Sequence, residues 1–449
     1  MRALVMLFWG AALACAPLVV KSQTATDSIS QSASLEECIE YALSHQPAVK
    51  QLQIDEQIVS RTVKSRLADW YPQLNLTYNI QHYLKLPVII LPDFANPGSG
   101  ARREVQSGVA NTSTLGFAVN QSLFNRDLLL TNRTAQSVYR QAAQNTLRTK
   151  IDVIVDVSKA FYDVLLTQQQ LEIVEAEILR SERNLRDAYN QFQGGIVDKT
   201  DYKRATIALN NSKARYKQAA EDLNAKKAYL KSVMGYPAER PIHLELDNTT
   251  VQREALVDTS RSLTYDNRIE YQLLQTRRSL LQSELTYERW SYLPTVSAFL
   301  NYNNVFQNQQ FGELYSRAFP NSLFGLSIAY PIFQGGKRIH NIKIAELQLN
   351  RVDWEFAGLR NALNAEYEQA LARYKANLTY YQTLKENVDL AREVYDVIQL
   401  QYKSGVKTYL EVIIAQTDLQ TAEFNYTNAL YQLISSRLDM DRALGTIRP

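Results

Sequence analysis

Reactive chemistry needs side chains that converge, and this sequence keeps its candidates apart. The four histidines, His45, His82, His243 and His340, fall in different segments, so none pairs at the short spacing of a metal-binding helix face. Cys15 and Cys38 are the only cysteines, and their separation fits neither a zinc site nor a disulfide framework. There is no glycine-rich phosphate loop and no nucleophile motif. The expectation is a protein with no catalytic residue, no metal and no cofactor. The 27 tyrosines, spread along helix seams and strand ends, suit packing and membrane belts better than a ligand site. Gly194, Gly195 and Gly405 mark hairpin-tip turns at the ends of long helical patterns, and at Gly195 and Gly405 a tight reversal between antiparallel helices calls for a positive φ.

The elements carrying those turns must be long. Only 15 Gly and 12 Pro punctuate 449 residues. Basic and acidic residues, 49 and 46, nearly cancel to a formal +3, which speaks against a nucleic-acid partner. Met1-Arg2 followed by the apolar run Ala3 to Val20 reads as a signal peptide over residues 1–22, removed before Gln23. An uncleaved anchor and lipidation at Cys15 are the alternatives. No later run reaches the roughly 18 apolar residues of a membrane helix, so membrane contact by the mature chain has to come from strands.

The chain carries one pattern twice. Trp70-Tyr71-Pro72 is answered by Tyr292-Leu293-Pro294, Gln121-Ser122-Leu123-Phe124 by Tyr330-Pro331-Ile332-Phe333, and Gln193-Gly194-Gly195 by Lys403-Ser404-Gly405. The spans from Phe124 to Gly195 and from Phe333 to Gly405 agree to within one residue. Each holds no proline, and each can form a helix of about 100 Å at 1.5 Å per residue. Leu171, Val174, Ile178, Ser181, Leu185, Ala188 and Phe192 recur at coiled-coil spacing, as do Tyr381, Leu384, Val388, Ala391, Tyr395, Ile398 and Tyr402. The helix after Gly405 carries two seams, Leu410-Ile413-Thr417-Gln420-Phe424 and Leu419-Ala422-Tyr426-Ala429-Leu433, so it expects neighbours on both sides, as in a closed ring.

Four stretches alternate polar and apolar residues: Gln73 to Gln81, Thr114 to Phe124, Thr295 to Asn303 and Phe324 to Tyr330. Four strands leave two open edges, which lipid does not tolerate, so the sheet has to close by oligomerising. Two chains would give a barrel filled by its own side chains, whereas three would give twelve strands and a passage. The loop from Tyr83 to Ser113 carries the apolar run Val88-Ile89-Ile90-Leu91, which either tucks into the pore mouth or packs on a neighbouring subunit.

With these features in place, the sequence resembles the TolC-like outer-membrane efflux protein family over the whole mature chain. Leu35-Glu36-Glu37-Cys38-Ile39-Glu40-Tyr41-Ala42-Leu43 with Gln46-Pro47 looks like the family's opening segment. Tyr402-Lys403-Ser404-Gly405-Val406-Lys407-Thr408 looks like its second hairpin tip, and Arg442-Ala443-Leu444-Gly445-Thr446 like its closing segment. The resemblance implies a mostly α fold with a membrane β-barrel contribution, in which a homotrimer builds a 12-stranded barrel in outer-membrane lipid and an α-helical barrel across the periplasm. It implies a passive exit duct working with a periplasmic adaptor and an inner-membrane pump, in drug or metal efflux or in protein secretion. A periplasmic coiled-coil scaffold is the competing reading.

The implied organisation is two repeats. The first, 23–250, has helices over 35–69, strands 73–83 and 114–124 and a helical hairpin 126–233. The second, 251–449, has a helix over 266–290, strands 294–303 and 323–331 and a hairpin 337–443. By the same resemblance a periplasmic gate is expected at the tips, from Asp201, Tyr402, Lys407 and Glu411. Lys407 stands where the family places an arginine, and lysine lacks the bidentate fork of guanidinium. Ile414 replaces the second of two acidic rings, leaving Glu411 alone.

Overall fold

Breakers decide where this chain turns. The computed structural model describes residues 33–92, 102–195, 197–244 and 261–449. The expected signal peptide and Cys15 lie outside them. Helix α1, Leu35–His45, starts in a capping box in which Ser34 and Glu37 each bond the other's backbone N–H at 3.2 Å. The segment 35–69 holds two helices, divided at Pro47. Pro47 excludes its predecessor from the helical region, Gln46 swings to ψ 122°, and α2 begins afresh over Pro47–Ala68.

Chain order then gives β1 (Gln73–His82), β2 (Val88–Pro92), β3 (Arg102–Gln106), β4 (Asn111–Phe124), α3 (Arg126–Gln193) and α4 (Lys199–Met234). After these come α5 (Ile269–Arg289), β5 (Thr295–Asn308), β6 (Ala318–Ala329), α6 (Lys337–Lys403) and α7 (Tyr409–Leu444). The long helices α3 and α6 run 68 and 67 residues, and each reverses into a partner of 36 residues. Asn125 caps α3 through the Asp127 amide at 2.8 Å, and Asp198 caps α4 through the Thr200 amide at 3.0 Å. The two hairpins pack side by side. Mid-length, Val157, Phe161, Val164, Leu230, Tyr374 and Leu433 share one core, and nearer the tips Ala188, Ala205, Tyr395, Val412 and Leu419 form a second. No described helix is long and apolar enough to cross a membrane.

The four-stranded antiparallel sheet has the order β1-β4-β5-β6, with β1 and β6 as open edges among the described residues. Register sorts its side chains into two faces. Leu74, Leu76, Tyr78 and Ile80 align with Val119, Phe117 and Leu115, then with Leu300 and Tyr302, then with Phe324. Asn75, Thr77 and Asn79 align on the other face with Ala118, Gly116 and Thr114, then with Asn301 and Asn303. The four strands contain no Asp, Glu, Lys or Arg.

Three strands are longer than their alternation predicts: β4 starts at Asn111, β5 runs to Asn308 and β6 starts at Ala318. The alternation fails there because polar Asn111, Ser113 and Asn308 occupy the apolar face. The connection between β5 and β6 folds over them. Leu314 is fully buried, Tyr315 donates to Ser113 Oγ at 3.3 Å, and Asn111 Nδ2 donates to the Gln309 carbonyl at 2.9 Å. The loop expected over Tyr83–Ser113 also contains a regular two-stranded ladder, β2 with β3.

Candidate functional site

The hairpin tips bring together most of the residues the sequence singled out. Gly195 and Gly405 have φ of 71° and 74°, left-handed values that close each hairpin. Gly194 does not share that role: its φ is −76°, ordinary right-handed backbone open to any residue. Gly195 N–H donates to the Phe192 carbonyl and Gly405 N–H to that of Tyr402, both at 3.0 Å, so the two turns are built alike.

Tyr402, in the last turn of α6, is buried and donates its hydroxyl hydrogen to Gln191 Oε1 on α3 at 2.8 Å. This bond ties one hairpin to the other. Burial pushes the Tyr402 hydroxyl up to about 12, with the Asp201 and Asp187 carboxylates acting in the same direction. Its ring packs on Tyr409, which opens α7 and is also buried, at a centroid distance of 5.7 Å.

Lys407 and Glu411 lie within one hairpin. Lys407 Nζ sits 2.6 Å from Glu411 Oε1, while Glu411 Oε2 accepts from the Thr408 amide at 2.9 Å and its hydroxyl at 3.1 Å. Glu411 therefore completes the capping box that starts α7. The Lys407 ammonium, then the Thr408 amide, hold its carboxyl below the usual range. Asp201 is in the first turn of α4, half-buried near Tyr402, and the cap of that helix is Asp198.

Sequence reasoning missed a buried polar layer above the tips. Gln416 on α7 donates through Nε2 to Glu177 Oε1 and, at 3.0 Å, to Ser181 Oγ, while Asn184 Nδ2 donates to Gln416 Oε1 at 2.8 Å. Arg180 reaches Glu177 at 3.3 Å and Glu423 at 3.5 Å, and Arg392 of α6 meets the same Glu423 at 3.3 Å. Glu177, Ser181, Asn184 and Gln416 are all buried. Part of the signal was visible: Ser181 interrupts an otherwise apolar seam, and a polar side chain at such a position must find a partner.

Among the described residues no three His, Cys, Asp or Glu are grouped as a metal site. At one end hydrogen bonds and an ion pair hold the tips within the chain, and at the other stands a sheet with an apolar face and an uncharged, mostly polar face.

The profile of the outer membrane efflux protein family matches residues 38–236 and again 265–446. The chain belongs to the outer membrane efflux protein family. It is 23% identical to the outer membrane protein TolC of Vibrio cholerae over 444 residues, covering 96% of this chain and 95% of that protein. It is 22% identical over 428 residues to the probable efflux pump outer membrane protein TtgC of Pseudomonas putida, covering 89% and 83%. A crystal structure of CusC superposes with a TM-score of 0.74 at 15% identity, covering 91% of each chain. This family member is thus an outer-membrane efflux protein of TolC-like fold. Its exposed apolar strand face is what a membrane-embedded sheet requires.

Proposed function

We propose that three copies of this efflux-family chain form a passive exit duct, with the four strands of each closing into one twelve-stranded barrel and the hairpins into a helical ring below it. The observation that carries the reading is the sheet itself. It has an apolar face of exposed Leu74, Leu76, Ile80, Leu300 and Phe324, a neutral polar face, and two unpaired edges. Lipid penalises every unpaired backbone group by several kcal/mol, roughly, so such a sheet must close, and the polar face then lines water. The half of α7 that faces away from its own core, including exposed Leu410 and Thr417, supplies the second seam for a neighbouring chain.

The tips are the closing end. Tyr402 and Gln191 join the hairpins, Lys407 and Glu411 stiffen the start of α7, and Asp201 stands beside Tyr402. The two stretches matched by the family profile support reading the chain as two repeats, 23–250 and 251–449. The duct does no work itself: an inner-membrane pump supplies it, joined by a periplasmic adaptor at the tips, a reading supported by the relative named for an efflux pump. A periplasmic scaffold gains nothing from a broad exposed apolar face.

Fractionation and mass test this. Recovery from the outer membrane only with detergent, as a particle of three chains by light scattering, is expected. Recovery from the soluble periplasm would contradict the duct.

A further inference from the structure

The two halves of the chain repeat their strand pairing as well as their motifs. Pro72 answers Pro294 and Phe124 answers Phe333, and carrying those matches along the strands sets Gln73 on Thr295 and Asn120 on Ala329. The ladders obey the same match. Gln73 pairs with Asn120 between β1 and β4, and Thr295 pairs with Ala329 between β5 and β6. At the far end His82 pairs with Asn111, and their counterparts Asn304 and Pro320 also pair.

The strands β4 and β5 join the two repeats inside the chain, and their counterparts are β6 and β1, the open edges among the described residues. Strand direction alternates across the sheet, so β6 of one copy meets β1 of the next antiparallel, as β4 meets β5. The two edges differ, so the contact is head to tail and can close a ring.

Within the chain Gln121 pairs with Ala298, Ala118 with Asn301 and Phe117 with Tyr302. The repeat turns these pairs into Tyr330 with Leu76, Ser327 with Asn79 and Leu326 with Ile80. Faces agree throughout. Tyr330, Leu76, Leu326 and Ile80 are exposed apolar residues of one face, and Ser327 and Asn79 belong to the other. A slip of one residue would set the two faces against each other.

Glycine marks the same position in both repeats. A Cβ at Gly116 would lie 2.8 Å from Thr77 Oγ1 on β1 and 2.7 Å from Asn303 Oδ1 on β5, so side chains from both neighbours occupy the gap it leaves. Its counterpart is Gly325, where a Cβ would collide with the ring of Phe299, the residue that answers Thr77. The residue that answers Asn303 is Gln81, on the β1 edge, and only a second copy can bring it beside Gly325.

We propose that β6 of each chain pairs with β1 of the adjacent copy in this register, with Ser327 opposite Asn79, so that the seam between copies repeats the β4–β5 junction within each. The inference rests on the trimeric duct reading, because these edges meet only if the sheet closes between copies.

The test is oxidative cross-linking of the full-length protein, purified in detergent, on a Cys38→Ala background. Ser327→Cys is combined in turn with Asn79→Cys, Thr77→Cys and Gln81→Cys, which share one face of β1. Copper phenanthroline is the oxidant, and light scattering reports chain number independently. Directly opposed residues have Cα atoms about 4.5–5.5 Å apart, within the reach of a disulfide. The Asn79→Cys combination is expected to give a covalent ladder up to three chains, several-fold stronger than the other two combinations or Ser327→Cys alone. An equal or stronger ladder with Thr77→Cys or Gln81→Cys would overturn the register while leaving the duct intact, and so would a three-chain particle with no ladder. A one-chain particle would remove both.

Discussion

Tyr402 at the end of α6 donates to Gln191 near the end of α3 across 2.8 Å, so the two hairpins of one chain are joined next to the turns that end them. Phenylalanine at 402 keeps the ring packed on Tyr409 and removes only the bond. Tyr402→Phe is expected to cost about 1 kcal/mol of tip stability and to raise the open probability of single channels in a planar bilayer.

The same hydroxyl sets an alkaline limit. Its value is raised from 10.0 to about 12, so the folded state holds the proton more tightly than the unfolded chain does. The stabilisation is complete below 10.0 and is lost as pH rises through about 12. Channel activity is expected to increase over that window in the wild type, and Tyr402→Phe, already lacking the bond, should show a flatter response.

Glu411 works in the opposite sense. Its carboxyl is lowered from 4.5, so its contribution is present above 4.5 and disappears as pH falls through the lowered value. Acid should fray the start of α7, read as faster amide exchange at Val412 and Ile413. Lys407→Ser removes the ion pair but leaves the capping box. It should shift the acid response towards 4.5 and enlarge conductance less than Tyr402→Phe does.

The polar layer is the stiffer tie. Gln416→Leu leaves the buried Glu177 carboxylate without its amide donor, and hydrogen bonds to charged groups contribute about 1.5–3 kcal/mol. A drop of that size in hairpin stability should appear in denaturant unfolding followed by circular dichroism. Glu177→Gln, which keeps the shape and loses the charge, should cost less.

Gly194 and Gly195 separate cleanly by backbone. Alanine at 194, where φ is −76°, should be neutral, whereas alanine at 195, where φ is 71°, should cost about 1–2 kcal/mol. Melting temperatures of the two variants check the difference.

Much of this architecture was written in period and spacing. The long helices followed from runs without proline, and the strand faces from strict alternation in Leu74, Leu76, Tyr78 and Ile80. Family motifs pointed to Tyr402 and Lys407. What alternation could not show was the outer rim, because Asn111, Ser113 and Asn308 break the pattern and are rescued by a connection distant in sequence. Likewise Gln416 and Glu177 are 239 residues apart, and only folding brings them into one layer. The pairing of Lys407 with Glu411 is local, at four-residue spacing, and was legible in principle as a helix-surface ion pair.

In the proposed duct this sheet closes around water and the tips shut the passage below. Single-channel conductance of the purified protein in a planar bilayer, wild type against Tyr402→Phe, tests it most directly. A small, stable conductance that grows in the variant is the predicted result. Membrane-inserted, folded oligomer that passes no current in either form would contradict it.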